Sequence, residues 1–361
     1  MDAAATQRKR NDSYRRHVKL SWQRCDLQLA HAWATARGRT DKTSSVMLVQ
    51  LKMDGVTGLG EASPISRYGE SLDTVEAFLK RVDPLKLSSA DIRTSIEYLE
   101  SLSAKDPSAR CAVEVALLDA AAKLARKTVH EFLNLGFREQ RHLTSFSIGI
   151  AQPDMFRKKV LEAERFPILK IKVGVPSDKE NWSVLRQAAP KKLVRVDANE
   201  GWQTKEQALV MIEWLATDSH IQFVEQPMPA ATAVKDWIWL KQRSPLPIFA
   251  DESFHSVADV VRCAECFHGV NVKLSKTGGI VPAMNALNVA RAAGLKTMIG
   301  CMVETSVLIS AAAHLAELCD YLDLDGNLLI TNDPFIGVTE KNGLLSFAHA
   351  AEKFGLRVSP R

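Results

Sequence analysis

No run of apolar residues in this chain approaches the length of a bilayer span, which excludes membrane insertion as its mode of action. Its six cysteines, at 25, 111, 263, 266, 301 and 319, are scattered and form no disulfide framework. Cys263 and Cys266 make a single CxxC with His268 nearby, but no second ligand pair follows at zinc-site spacing. The spacing also suits one helix face, so reduced, buried thiols in a cytoplasmic protein are expected. The N-terminus lacks the apolar stretch of a signal peptide. It is basic instead: Arg8, Lys9, Arg10, Arg15 and Arg16 supply much of the net charge of +5. Nothing else in the chain supports nucleic-acid contact, so residues 1–17 read as a disordered basic extension. A glycine-rich phosphate loop is missing too. The first strand of the alternating region runs into Ser147-Ile-Gly-Ile-Ala, which does not suit an open, doubly wound nucleotide-binding sheet.

What remains is ordinary globular composition, 46% hydrophobic and 25% charged over 361 residues. That length suits two domains, or one large barrel with additions. Residues 18–32 and 45–62 are β-rich, and Asp54-Gly55 marks a hairpin turn. Helical periodicity covers 71–82, 89–102 and 107–126, the last apolar all round as in a buried helix. Residues 18–135 therefore read as an α+β domain. From about 140 to 333 apolar strands alternate with helical stretches, and eight strand segments follow one another. That pattern predicts an α/β fold with a parallel (β/α) TIM-type barrel. The segment 334–361 has no further βα unit and is expected to pack back on the first domain.

Charged residues punctuate the strand ends. LKIKVG carries Lys170 and Lys172, VRVDAN carries Asp197, FVEQP carries Glu225, IFADES carries Asp251 and VNVKLSKTGG carries Lys273. The steps from Lys172 through these residues are 25, 28, 26 and 22, about one βα unit each. Barrel enzymes place their chemistry at the C-terminal strand ends. Lys170 and Lys172 share a strand face. Burial and mutual repulsion should lower their pKa values toward that of a general base. Asp197, Glu225 and Asp251 converge as three carboxylates that need a cation. Oxygen ligands without Cys or His select Mg²⁺, with Mn²⁺ the second choice. Read singly, these acids are helix caps or loop ion pairs, and Lys273 is an ion-pair partner of Asp251. Read together, Lys273 faces Lys172 across the barrel, one base on each side of a bound carbon.

These motifs, in this order, resemble the enolase superfamily, muconate-lactonizing subgroup, from about Val18 to the end of the chain. The Asp323-Leu-Asp325 segment and the stretch Met298–Ser306 further resemble the dipeptide epimerases. The resemblance implies an N-terminal capping domain on the modified barrel. It also implies Mg²⁺ at Asp197, Glu225 and Asp251, with Lys172 and Lys273 as acid/base catalysts and Lys170 tuning Lys172. Asp323 and Asp325 then hold a substrate ammonium. Ser147, Cys301 and Met302 line the site. The capping loop, roughly 34–45, helps select the C-terminal side chain; its Arg37, Arg39 and Lys42 either suit an acidic one, as in Ala-Glu peptides of the cell wall, or are solvated, which leaves hydrophobic and mixed dipeptides open. The implied partners are a small dipeptide and, optionally, further copies of the chain. Racemisation of N-acylamino acids, o-succinylbenzoate synthesis and muconate cycloisomerisation are alternatives on the same scaffold. Their substrates have no free ammonium for Asp323 and Asp325.

Overall fold

The computed structural model describes residues 18–38 and 40–361. The expected basic extension over 1–17, and Arg39, lie outside the described residues. Strand β1, Lys19–Ala34, pairs antiparallel with β2, Thr40–Met53, which returns as β3, Val56–Ala62. Asp54 and Gly55 turn this hairpin with φ of 47° and 85°, the doubly positive pattern that matches strand twist. Helices α1 (Leu72–Leu79), α2 (Ile92–Leu102) and α3 (Pro107–Leu124) follow. From Ser108 to Ala122 only Arg110 of α3 is not buried, because the helix has apolar residues on every face.

The sheet accepts that helix at very short range. A Cβ on Gly58 or Gly60 would lie 1.9 Å from the carbonyl oxygen of Ala116 or Ala112. Both clashes are with helix backbone, which cannot rotate away. Gly60→Ala should therefore cost at least the ~1–3 kcal/mol typical of overpacking, read as a lower denaturant midpoint. An unchanged midpoint would show that α3 is not held against β3.

The second layer system is a barrel. Its parallel strands are β4 (Phe146–Ile148), β5 (Ile168–Lys172), β6 (Leu193–Asp197), β7 (Ile221–Glu225), β8 (Ile248–Ala250), β9 (Gly269–Lys273), β10 (Lys296–Gly300) and β11 (Tyr321–Asp323). They neighbour one another in chain order, and a bridge between Thr144 and Leu322 joins the two ends. Helices cover the outside between successive strands. After β11 there is only a short turn of 3₁₀ helix, Gly326–Leu328, so the last strand lacks the α-helix that follows each of the others. The core is continuous between cap and barrel. Buried acids stitch the two together: Glu114 on α3 accepts N–H bonds from Ile280 and Val281, each 2.8 Å, and Glu61 on β3 accepts from Thr305 at 3.0 Å. The C-terminal segment touches both parts. Leu356 N–H donates to Asp119 on α3 at 2.8 Å, and Val338 N–H donates to Ser310 at 2.8 Å. No helix among the described residues is long and apolar enough to cross a membrane. The six cysteines are free, and Cys263 and Cys266 are buried.

Candidate active site

Four strands end on the residues that carry the charge: Lys172, Asp197, Glu225 and Lys273 are the last residues of β5, β6, β7 and β9. Asp251 directly follows β8, and Asp323 ends β11. Parallel pairing in register, Lys172 beside Asp197 and Asp197 beside Glu225, brings these ends to one level. Gln226, held at φ of 38°, fixes the loop that presents Asp251. Its Oε1 accepts the N–H groups of Asp251 (3.0 Å) and Ser253 (3.1 Å), while its Nε2 donates to Ser253 Oγ (2.8 Å).

Asp197, Glu225 and Asp251 each place a carboxylate oxygen within 4.8 Å of the others, and all three are buried. Buried Asn271 donates to Glu225 Oε1 at 2.8 Å. Glu225 Oε2 lies 2.8 Å from Lys170 Nζ but off hydrogen-bond alignment, and it accepts no hydrogen bond. Burial, then the charge of Asp197, pushes the Glu225 carboxyl up to about 8. An unfilled buried oxygen among three convergent carboxylates fits a hard divalent cation. The donor set holds no nitrogen or sulfur, which suits Mg²⁺.

The lysines occupy this carboxylate cluster. Lys172 Nζ lies 2.6 Å from Asp197 Oδ2, and Lys170 Nζ reaches the same oxygen at 3.1 Å, so the two side chains share the inner face. Lys170 also contacts Asp323 at 2.7 Å. The expectation of a lowered Lys170 pKa is corrected here. Burial does push it down, but Asp323, Glu225 and Asp197 together hold it well above the usual lysine value. Lys273, 2.9 Å from Asp251, is likewise raised against its burial. At Lys170, repulsion from other ammonium groups is outweighed by the acids it touches. A divalent cation on the same carboxylates would weaken that hold.

Asp323 and Asp325 lie in the same cavity, but not by sharing a strand face. The strand stops at Asp323, and Asp325 starts the following 3₁₀ turn. Asp323 accepts from Ser145 Oγ and from Lys170 Nζ, both 2.7 Å. Asp325 Oδ2 accepts from the Ser147 N–H at 2.6 Å, so this strand contributes its backbone where a hydroxyl role was expected. Burial, then the Asp323 charge, raises Asp325 to about 6. Among the described residues no side-chain cation pairs directly with Asp325, whereas Lys170 pairs with Asp323.

Several further participants are not among the residues expected from the sequence. Buried Lys276 pairs with Asp251 Oδ1 at 2.7 Å. Buried Arg195 hydrogen-bonds Ser145 Oγ at 3.3 Å and so supports Asp323 from beneath. Its parity with Asp197 on β6 was the available signal. Trp33 and Tyr68 of the cap enclose the site, with Trp33 6.0 Å from Lys172 Nζ. A cavity of about 890 Å³ joins these parts, lined by Ser147, Lys170, Lys172, Lys273, Asp323 and Asp325 among others. Cys301 and Met302 line it as well, the latter 3.9 Å from Lys273 Nζ. Arg37 reaches the rim, where Glu252 pairs with it at 2.7 Å.

Residues 155–325 match the family described as enolase C-terminal domain-like. Residues 24–134 match the mandelate racemase/muconate lactonizing enzyme N-terminal domain. The chain is 61% identical over 336 residues to an L-Ala-D/L-amino acid epimerase of Pedosphaera parvula, covering 92% of this chain and 97% of that protein. It is 40% identical to an L-Ala-D/L-Glu epimerase of Bacteroides thetaiotaomicron, covering 91% and 85%. A dipeptide epimerase from Enterococcus faecalis, crystallised with Mg and L-Leu-L-Tyr, superposes with a TM-score of 0.85 at 28% identity, covering 94% and 99%.

Proposed function

The chain belongs to the mandelate racemase/muconate lactonizing enzyme family of the enolase superfamily, and on that premise we propose that it is a Mg²⁺-dependent dipeptide epimerase. It interconverts L and D configuration at the C-terminal residue of a dipeptide. One observation carries this reading: a single cavity is lined by Lys172, Lys273, the acidic pair Asp323 and Asp325, and Asp251, whose carboxylate converges with those of buried Asp197 and Glu225. Strands β5 and β9 stand four places apart in an eight-stranded barrel, so Lys172 and Lys273 approach from opposite sides.

The substrate carboxylate belongs at Asp197, Glu225 and Asp251. When bound there, Mg²⁺ stabilises the negative charge that develops on that carboxylate. Asp325, aimed by the Ser147 N–H, holds the substrate ammonium together with Asp323. Lys170 and Ser145 fix Asp323 in turn. The α-carbon then sits between the lysines. One lysine, as the neutral amine, takes the α-proton; the ammonium of the other returns a proton to the opposite face. Trp33 and Tyr68 keep water from the carbanionic carbon.

Incubating L-Ala-L-X dipeptides with enzyme and Mg²⁺ in D₂O should load deuterium at the C-terminal α-carbon, read by mass spectrometry. Absence of label from every dipeptide defeats the proposal. A second test separates it from N-acylamino acid racemisation. A charged hydrogen bond contributes about 1.5–3 kcal/mol, roughly ten- to a hundredfold in affinity. Asp325→Asn should raise KM by that factor for a free dipeptide and leave the N-acetyl dipeptide little changed. Equal losses on both would mean that Asp325 does not read an ammonium.

A further inference from the structure

We infer that the subsite for the C-terminal side chain takes uncharged side chains, because the two arginines that line it among the described residues are already matched by buried glutamates. The inference rests on the epimerase reading. At a planar α-carbon the carboxylate, the peptide nitrogen and the side chain leave in one plane, with a lysine above and below. The carboxylate end lies at the acidic triad and the amino end at Asp323 and Asp325. The barrel floor is filled by Lys170 and Arg195, both buried. The direction left for the side chain is the cap. There the cavity is lined by Thr35 and Arg37 from the β1–β2 loop, and by Ile65, Arg67 and Tyr68 after β3.

Arg37 and Arg67 are the two guanidinium groups lining the cavity among the described residues. Arg37 Nη1 lies 2.7 Å from Glu252 Oε1 and 3.6 Å from Glu200 Oε2. Arg67 Nη2 lies 2.5 Å from Glu200 Oε1. The glutamate side chains are only 3% and 7% exposed, so neither can exchange its arginine for water. Each has further anchors: Asn199 Nδ2 donates to Glu252 at 3.2 Å, and the Ala230 N–H donates to Glu200 at 2.7 Å. The loop itself is pinned. Ala36 Cβ fills the space beside Gly174 and Gly201, where a Cβ on either glycine would lie 2.7 and 3.0 Å from it, respectively. These two cations and two carboxylates balance one another. An acidic substrate would bring a third carboxylate to two cations already matched by two, and an unmatched charge at a buried site is costly. The guanidinium N–H groups that do not face Glu252 remain free to bond neutral polar side chains. The sequence-based expectation that Arg37 favours an acidic residue is revised accordingly.

The test is kcat/KM for L-Ala-L-Glu, L-Ala-L-Gln and L-Ala-L-Leu in wild type, Glu200→Gln and Arg37→Met. Wild type should favour Gln and Leu over Glu by about tenfold or more, the scale of one unmatched charge. Glu200→Gln frees positive charge and should raise the Glu-to-Gln ratio severalfold, even if overall activity falls. Arg37→Met leaves Glu252 unmatched, frees negative charge and should lower the Glu-to-Gln ratio severalfold. A wild type that prefers Ala-Glu overturns the inference, as does a Glu-to-Gln ratio unmoved in Glu200→Gln or in Arg37→Met. Turnover of none of the three overturns the epimerase reading and this inference with it.

Discussion

Lys273→Ala stops epimerisation but leaves exchange of the L epimer's α-proton with solvent, and Lys172→Ala does the converse: that is the expected result. It follows from placement. Lys172 ends β5, Lys273 ends β9, and the two strands face each other across the barrel. Each lysine touches a different acid of the triad, Lys172 on Asp197 at 2.6 Å and Lys273 on Asp251 at 2.9 Å. A base on one side can still remove and return a proton on its own side. It cannot deliver to the far face. Loss of a positioned general acid or base lowers rates by roughly 10²–10⁴-fold, and inversion needs both groups, so each variant should lose it by at least that much. By the family resemblance, Lys172 faces the proton of the L epimer. Proton NMR in D₂O, run separately on L,L and L,D dipeptides, reads exchange and inversion independently. Wild-type inversion in either variant would sink the two-base arrangement. Loss of exchange from both epimers in either variant would make the remaining lysine a structural group.

Much of this site was legible because strand parity and βα spacing are local rules. The eight strand segments, the hairpin at Asp54-Gly55 and the buried α3 all follow from residue patterns shorter than one structural unit. The same parity would have reached Arg195, two residues before Asp197, and Asn271, two before Lys273. It failed at Asp325, where the strand ends sooner than the apolar pattern suggests. Charge pairing was not legible at all. Glu200 and Glu252 sit beside known motifs, but their partners Arg37 and Arg67 come from cap loops far away in sequence. Glu200 is aimed by a left-handed backbone, φ of 67°, that depends on tertiary packing. For the same reason Lys170 looked like one of two repelling ammonium groups, when its nearest neighbours are carboxylates of three other strands.

Glu225→Gln is the cleanest way to remove the metal without disturbing the bases. Asp197→Asn would also release Lys170 and Lys172, and Asp251→Asn would release Lys273 and Lys276. Glu225 contacts neither Lys172 nor Lys273 and has one oxygen without a hydrogen bond. Its isosteric amide keeps an acceptor for the Asn271 bond to Oε1. It loses the charge that a divalent cation needs. Lewis-acid stabilisation of a developing carboxylate charge contributes several kcal/mol, so turnover should fall by roughly 10³-fold or more. Mg²⁺ affinity should fall in parallel, measured by titration calorimetry on the protein without substrate. Thermal stability should fall little, because the amide has the same shape as the carboxyl and Lys170 keeps Asp197 and Asp323 as partners. Unchanged Mg²⁺ affinity in Glu225→Gln, or full activity of the wild type in excess EDTA, would remove the cation from this site. Weakened binding with normal turnover would instead separate the metal from the chemistry and leave Lys172 and Lys273 working without it.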